Sequence, residues 1–133
     1  MGMKILYALT ICDTKLEKYF FIGIYSSKEY ALSTAKTYCR NIQGFKDYPC
    51  TYSIMPKTVL EKLTSEKTVY RIVGWDTRNW EDVNIWKSDL YTNKKTAEAA
   101  YIEIQQNMKR QEWSLDSFKI NESHWKDGFI RVT

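Results

Sequence analysis

Residues 19–31 read YFFIGIYSSKEYA and pass from one kind of secondary structure to another within a few positions. The aromatic and branched run Tyr19–Tyr25 predicts a β-strand. Ser26 followed three residues later by Glu29 is a capping-box pattern, in which the serine accepts from the Glu29 amide. A strand that leads directly into a capped helix indicates an α+β unit.

The residues on either side complete this unit. Residues 5–11 alternate with the period of a strand, and the polar stretch 13–18 predicts a turn into an antiparallel neighbour. Gly44 is placed to end the helix in a left-handed conformation. A third strand is predicted at Tyr52 and Ile54 and is closed by Pro56. The helix should lay one apolar stripe on the sheet: Ala31, Ala35, Tyr38, Cys39 and Ile42.

The second half of the chain repeats these residue classes. At an offset of 66, Ile24–Lys28 aligns with Leu90–Lys94, and the apolar helix positions align as well. The first strands align at an offset of 63, so the second copy has three extra residues between its first two strands. The pattern predicts a tandem β-β-α-β duplication, with one repeat at 1–66 and the other at 67–133.

In the second copy we expect strands at Thr68–Trp75 and Ile85–Tyr91 and a last strand at Ser117–Asn121. A helix capped by Thr92 or Asn93 should run to about Lys109, and a short helix should connect the copies within 56–67. The predicted fold class is α+β, with about six antiparallel strands in one or two sheets and two helices on one face. We expect the repeats to pack as one compact pseudo-twofold domain that stands in for a former homodimer.

Three segments resemble a family of short bacterial domains of unknown function. They are residues 21–29 (FIGIYSSKE) with Ala31, residues 44–49 (GFKDYP), and residues 125–129 (WKDGF). The G-F loop occurs only in the first copy and the W-x-x-G-F ending only in the second. The resemblance implies a bacterial or phage origin and a β-β-α-β fold, and it implies no chemistry.

Composition indicates a folded protein that needs no strongly charged partner. The chain is 44% hydrophobic with a net charge of +4, and basic and acidic residues are mixed in both halves. Neither a signal peptide nor a membrane-spanning apolar run is expected. Cys12, Cys39 and Cys50 show no pairing pattern, which predicts reduced thiols and a cytoplasmic location.

The sequence shows no catalytic constellation. His124 is the only histidine and has no nucleophile placed beside it by a motif. Together with the three cysteines it could form a zinc site, but cysteines on apolar strand and helix positions indicate core packing instead. Asp13 and Asp76 are each followed by threonine and are interpreted as Asx turns. We therefore expect no enzyme, no metal and no cofactor.

All five tryptophans lie in the second copy, and Trp80 falls within the predicted hairpin loop 76–84. A tryptophan among charged and amide side chains at a loop tip has the composition of a protein-binding hot spot. The alternative is that Trp80 folds back over the hairpin. Trp113 should plug the end of the core near the helix. The candidate interaction residues are Arg78, Asn79, Trp80, Glu81, Asp82 and Trp113.

These observations predict a non-enzymatic cytoplasmic module that binds another protein, such as an immunity protein, a toxin inhibitor or an anti-defence factor. Two alternatives stay open: a nucleic-acid-binding accessory protein, and a small-ligand binder in a cleft between the copies. A membrane partner is not expected, and the oligomeric state is either monomer or homodimer.

Overall fold

A computed structural model describes residues 4–15, 17–47, 49–60 and 67–129 of the chain. The fold class is α+β, as predicted, with two antiparallel three-stranded sheets and two helices. Of the two predicted arrangements, the structure has two separate sheets and not one six-stranded layer. One sheet has the order β2-β1-β3 and the other the order β5-β4-β6. The elements are β1 (Ile5–Asp13), β2 (Lys18–Tyr25), α1 (Lys28–Asn41), β3 (Cys50–Thr58), β4 (Thr68–Arg78), β5 (Glu81–Lys87), α2 (Lys94–Asn107) and β6 (Glu112–Lys119).

The chain forms two compact units, and neither is continuous in sequence. One unit, which we call the N-terminal unit, consists of Ile5–Lys57 together with Ile120–Thr133. The other, which we call the C-terminal unit, consists of Met1–Lys4 and Thr58–Lys119. The predicted boundary after residue 66 divides the sequence into repeats, whereas these units are defined by contacts. The N-terminal unit includes the segment that follows β6, and the C-terminal unit includes the segment that precedes β1.

Helix α1 covers one face of the sheet in the N-terminal unit. Ala31 and Ala35 are fully buried, which lets the helix backbone approach the strands closely. Alternate residues of β1 point toward the helix, as the pleat of a strand requires. The buried cluster beneath the helix comprises Leu9, Ile11, Ile22, Tyr25, Ala31, Ala35, Tyr38 and Phe45.

The core of the C-terminal unit is smaller. Ala97 is the only fully buried residue of α2 among those described, and the strands beneath contribute Val69 and Ile72. Ser88 directly follows β5 and forms two hydrogen bonds with Ile72 of β4. Its hydroxyl accepts from the Ile72 amide at 2.9 Å, and its own amide donates to the Ile72 carbonyl. Polar groups at this sheet edge are therefore paired despite their burial.

The helix boundaries follow from their caps. Asn93 accepts from the amides of Lys95 and Thr96, so it is the cap of the second helix, for which Thr92 and Asn93 were the two predicted candidates. In the first helix the cap is Ser27, which accepts from Tyr30 at 3.1 Å, so the prediction of Ser26 was wrong by one residue. The Ser26 hydroxyl instead contacts the Asn121 side chain, a residue far along the sequence that a local pattern does not contain.

Several strand boundaries differ from the predictions. β3 continues through Pro56 to Thr58, because proline is tolerated on an edge strand, and β3 lies at the edge of its sheet. β6 begins at Glu112, several residues before the predicted Ser117. The predicted connecting helix 56–67 is not present in its described part, because residues 56–58 belong to β3 and Val59 is bridged to Leu90. Residues 61–66 lie outside the described part of the chain.

Candidate functional site

The predicted loop 76–84 is a two-stranded ribbon with a tight turn. β4 continues to Arg78 and β5 starts at Glu81, so both strands reach into the predicted loop and only Asn79 and Trp80 remain in the turn. Pairing between β4 and β6 stops at Trp75 and Glu112. Beyond that point the ribbon has no third strand among the described residues, and we call residues 76–84 the hairpin arm.

Trp80 lies at the tip of this arm and is 99% exposed. The alternative that the indole folds back over the hairpin is therefore wrong. A fully exposed indole keeps its large apolar surface in water and contributes no burial to folding.

The backbone conformation at the tip is also unfavourable for tryptophan. Asn79 and Trp80 have φ values of 53° and 68°, as the two central residues of a type I′ turn require. Asparagine is favoured at the first position and glycine at the second, since a side chain in the left-handed region costs about 1–2 kcal/mol. Trp80 thus occupies a strained position without packing, and strain of this kind is characteristic of functional sites.

The base of the hairpin arm is fixed by Asp76. Its carboxylate accepts from the Gln111 amide at 2.9 Å and from the Asn84 side-chain amide at 3.0 Å. The bond from Asn84, followed by that from Gln111, holds the pKa of Asp76 below its ordinary value. The Gln111 side chain in turn accepts from the Thr77 amide at 2.7 Å. The prediction that Asp76 forms an Asx turn was wrong, whereas Asp13 does accept from the Lys15 amide two residues on.

A β-bulge sets the direction of the arm. The pairing register shifts between Gly74 and Asp76, and Asn84 on the opposite strand has a φ of 52°. Arg110 donates from Nε to the Asn84 carbonyl oxygen at 2.7 Å, so a side-chain hydrogen bond holds the backbone at this irregular position. Asn84 ends the predicted loop 76–84, and asparagine is disfavoured in strands, so the sequence pattern indicates a loop here and not a bulge.

A shallow groove of about 310 Å³ runs along one face of the same sheet next to the arm. Trp75 and Ile85 give it an apolar floor, and Ile85 is more than half exposed. The buried Arg71 lies opposite Asp116 in the ladder and over the ring of Phe118 at 5.0 Å. Burial lowers the pKa of Arg71, and the nearby Asp116 acts in the opposite direction. The lining residues carry charges of both signs: Arg71, Lys87, Asp82 and Asp116.

The candidate residues fall into two places. Arg78 and Glu81 pair across the turn and Asp82 pairs with Thr77, so these residues lie next to Asn79 and Trp80 on the arm. Trp113 lies instead on β6 opposite Gly74, where its indole packs so closely that a Cβ at position 74 would come within 2.6 Å of it. Four strand residues separate Gly74 from the turn, a distance of about 13 Å.

Trp113 contributes to packing in the sheet, as its ring also contacts Trp86 at a centroid distance of 6.2 Å. It lies on β6, because this strand starts before its predicted beginning at Ser117. Of the six candidates, five form the arm tip and Trp113 does not join them.

The cysteines and His124 occupy structural positions. Cys39 and Cys50 pack against the core under α1, and burial raises the pKa of the Cys39 thiol. The Cys12 thiol donates to the Asp13 carbonyl oxygen at 3.7 Å. The amide of the exposed His124 donates to the Ile22 carbonyl at 2.7 Å. Among the residues that the structure describes, no cluster of three or more His, Cys, Asp or Glu side chains is arranged to hold a metal ion.

Two further findings bear on classification. Within the described ranges, no helix is long and apolar enough to cross a membrane. Comparison with family models, curated proteins and solved structures gave no match for this chain.

Proposed function

We propose that the protein is a non-enzymatic binding module that inserts the tip of its hairpin arm into an apolar pocket of another protein. The observation that carries this proposal is Trp80, which is fully exposed on a strained turn. Tryptophan is the residue type most enriched at interface hot spots, and a rigid support reduces the entropy lost on binding. Asp76 and Asn84 provide that support at the base of the arm.

The charges around Trp80 favour a protein partner over nucleic acid. Arg78 is accompanied at the tip by Glu81 and Asp82, so a phosphate backbone would meet carboxylates as well as a guanidinium. A rim of mixed charge around a central aromatic residue is typical of protein–protein interfaces. We accordingly propose a cytoplasmic inhibitor, immunity or anti-defence protein of bacterial or phage origin that acts by occlusion.

We further propose that the chain arose by tandem duplication. The two helices span Lys28–Asn41 and Lys94–Asn107, and both their bounds and their caps Ser27 and Asn93 are related by the same offset of 66 residues. Each sheet has the first strand of its repeat in the centre. In this view the hairpin arm is an elaboration of one copy, since its counterpart in the first repeat is a short turn.

Photo-crosslinking tests the binding proposal. A photoreactive amino acid replaces Trp80 in the full chain expressed in its native host, and a matched control carries it at Tyr19, an aromatic residue that is 75% exposed on β2. We expect one adduct of defined mass from position 80 and none from position 19. Trp80→Ala should then weaken binding of the purified partner by roughly 30-fold or more, the scale of a hot spot, while Tyr19→Ala leaves it unchanged. Equal adducts at both positions, or unchanged affinity of Trp80→Ala, would contradict the proposal.

A further inference from the structure

The W-x-x-G-F segment forms part of the N-terminal unit although it follows the last strand of the C-terminal unit. Residues 120–129, which we call the tail, leave β6 at Lys119 and run beside β2. The amides of Asn121 and His124 donate to the carbonyls of Ile24 and Ile22, both at 2.7 Å. The tail therefore covers the outer edge of β2 and occupies hydrogen-bonding groups that an edge strand otherwise exposes.

Side chains reinforce this backbone pairing. The hydroxyls of Tyr25 and Ser123 are 2.6 Å apart, and the Tyr38 hydroxyl donates to the His124 carbonyl at 2.7 Å. The Asn121 side chain accepts from the Ser26 amide at 2.9 Å. The positions that bind the tail are thus on β2, on α1 and in the junction between them.

Two glycines of the first repeat leave room for the tail. A Cβ at Gly23 would meet the Glu122 carbonyl oxygen at 2.5 Å, and one at Gly44 would meet the Phe129 ring at 2.7 Å. In the tail itself, a Cβ on Gly128 would overlap the backbone of Gln43. The groove and the tail are therefore packed so closely that a single added methyl group at any of these three glycines would overlap the facing segment.

An aromatic cluster closes the far end of the groove. Phe20 stacks on Phe129 at a centroid distance of 4.8 Å and meets Trp125 edge-on at 5.0 Å. Phe45 contacts Phe129 at 5.1 Å. Such pairs add stabilisation beyond the apolar area that they bury. The G-F loop of the first repeat and the W-x-x-G-F ending of the second meet in this cluster, together with Phe20 of β2.

The groove and its occupant come from different repeats, and any second copy of the chain carries the same tail. We propose that the tail is an exchangeable segment, and that the groove of the N-terminal unit binds the tail of a second copy to form a domain-swapped dimer. The tail makes identical contacts in its own groove and in the groove of a second copy. A chain's own tail therefore occupies its groove only because its effective concentration there is high. Trp125 and most polar side chains of the tail are exposed, which favours opening of the tail without global unfolding.

Two full-length variants test the exchange by complementation. Gly128→Val disables the tail and leaves the groove empty, and Gly23→Val blocks the groove and leaves the tail free. We expect each variant to be monomeric alone and their mixture to form a 1:1 dimer of twice the 15.8 kDa chain mass, measured by light scattering. In the matched control, Gly128→Val is mixed with Lys126→Val instead of Gly23→Val. The tail of Lys126→Val stays docked in its own groove, so this mixture should give at least about tenfold less dimer. A mixture that stays monomeric overturns the proposal.

A peptide experiment keeps the test independent of the folding of either valine variant. A fluorescent peptide of residues 119–129 is titrated into a second tail variant, Asn121→Ala with Ser123→Ala, which removes hydrogen bonds without steric overlap. Binding should be at least roughly tenfold tighter than to the unmodified chain, whose groove is occupied. The same peptide with Phe129→Ala should lose most of this affinity. Equal binding to both chains, or no effect of the Phe129 replacement, contradicts the exchange.

Discussion

The amide of Phe129 donates a hydrogen bond of 3.0 Å to the carbonyl oxygen of Gln43. Gln43 precedes the G-F loop of the first repeat, and Phe129 is the last residue of the W-x-x-G-F ending of the second. Two motifs that lie far apart in the sequence thus meet in one compact unit.

Gly128→Ala should destabilise the protein. Gly128 has a φ of 71°, and a Cβ there would overlap the Gln43 backbone, which is not free to move as a flexible side chain would be. We expect a loss of about 1–3 kcal/mol in the free energy of unfolding, measured by urea denaturation. Lys126→Ala, at an exposed position in the same turn, is the control and should leave the midpoint unchanged. An equal midpoint for both variants would falsify the close packing of this glycine.

Alkaline pH should weaken tail docking through two tyrosines. Burial raises the pKa of Tyr25 and of Tyr38, and both hydroxyls contact the tail. Because the pKa is raised in the folded state, the neutral tyrosines stabilise the folded protein. This stabilisation is complete below the unfolded-state pKa of about 10, and it is lost as the pH rises through the folded-state pKa. The urea midpoint should therefore fall above pH 10. Tyr38→Phe should start from a lower midpoint at neutral pH and lose less of it on the alkaline side; parallel pH profiles for both chains would argue against this link.

The local features of the fold could be predicted from the sequence. Asn93 caps its helix through its own side chain and the next two amides, so a few consecutive residues contain all the information. The α+β class and the strand-helix order follow in the same way from periodicity within each segment. The exposure of Trp80 was predicted as one of two alternatives, and the two-residue turn that decides between them depends on the pairing of whole strands.

The features that the sequence did not predict all depend on residues far apart in the chain. Asp76 looked like a turn residue because its partner Gln111 lies 35 positions away. Ser26 fits a capping box, but in the folded protein it faces Asn121, and Ser27 takes the cap. The docking of the tail on the N-terminal unit was not predicted either. Its only signal in the sequence is that the G-F loop and the W-x-x-G-F ending each occur once, in different halves of the chain. Patterns that are read along the chain do not contain such long-range pairings.

Asp76→Asn should loosen the hairpin arm while leaving the rest of the sheet intact. Both carboxylate oxygens accept hydrogen bonds, from Asn84 and from Gln111, and an asparagine would present an N–H group to one of these donors. We expect faster amide hydrogen exchange and lower order parameters for residues 76–84, measured by NMR, with little change in α1. Asp82→Asn, an exposed acidic residue on the same arm, is the matched control. Unchanged dynamics in the Asp76 variant would show that the bulge alone fixes the arm.

Trp80→Gly should make the protein more stable and less functional. Glycine adopts the φ of 68° at this position without a steric penalty, and the exposed indole contributes no burial that would be lost. Relief of the left-handed strain outweighs the added backbone entropy, so we expect a gain of roughly 1 kcal/mol and a rise of a few degrees in the melting temperature, measured by calorimetry. Trp80→Ala, which keeps a Cβ in the left-handed region, should not gain stability, and both variants should lose the partner found by crosslinking. A glycine variant that is less stable than the unmodified chain would mean that Trp80 packs on the hairpin in solution. A variant that is stabilised but still binds would place the interaction surface elsewhere.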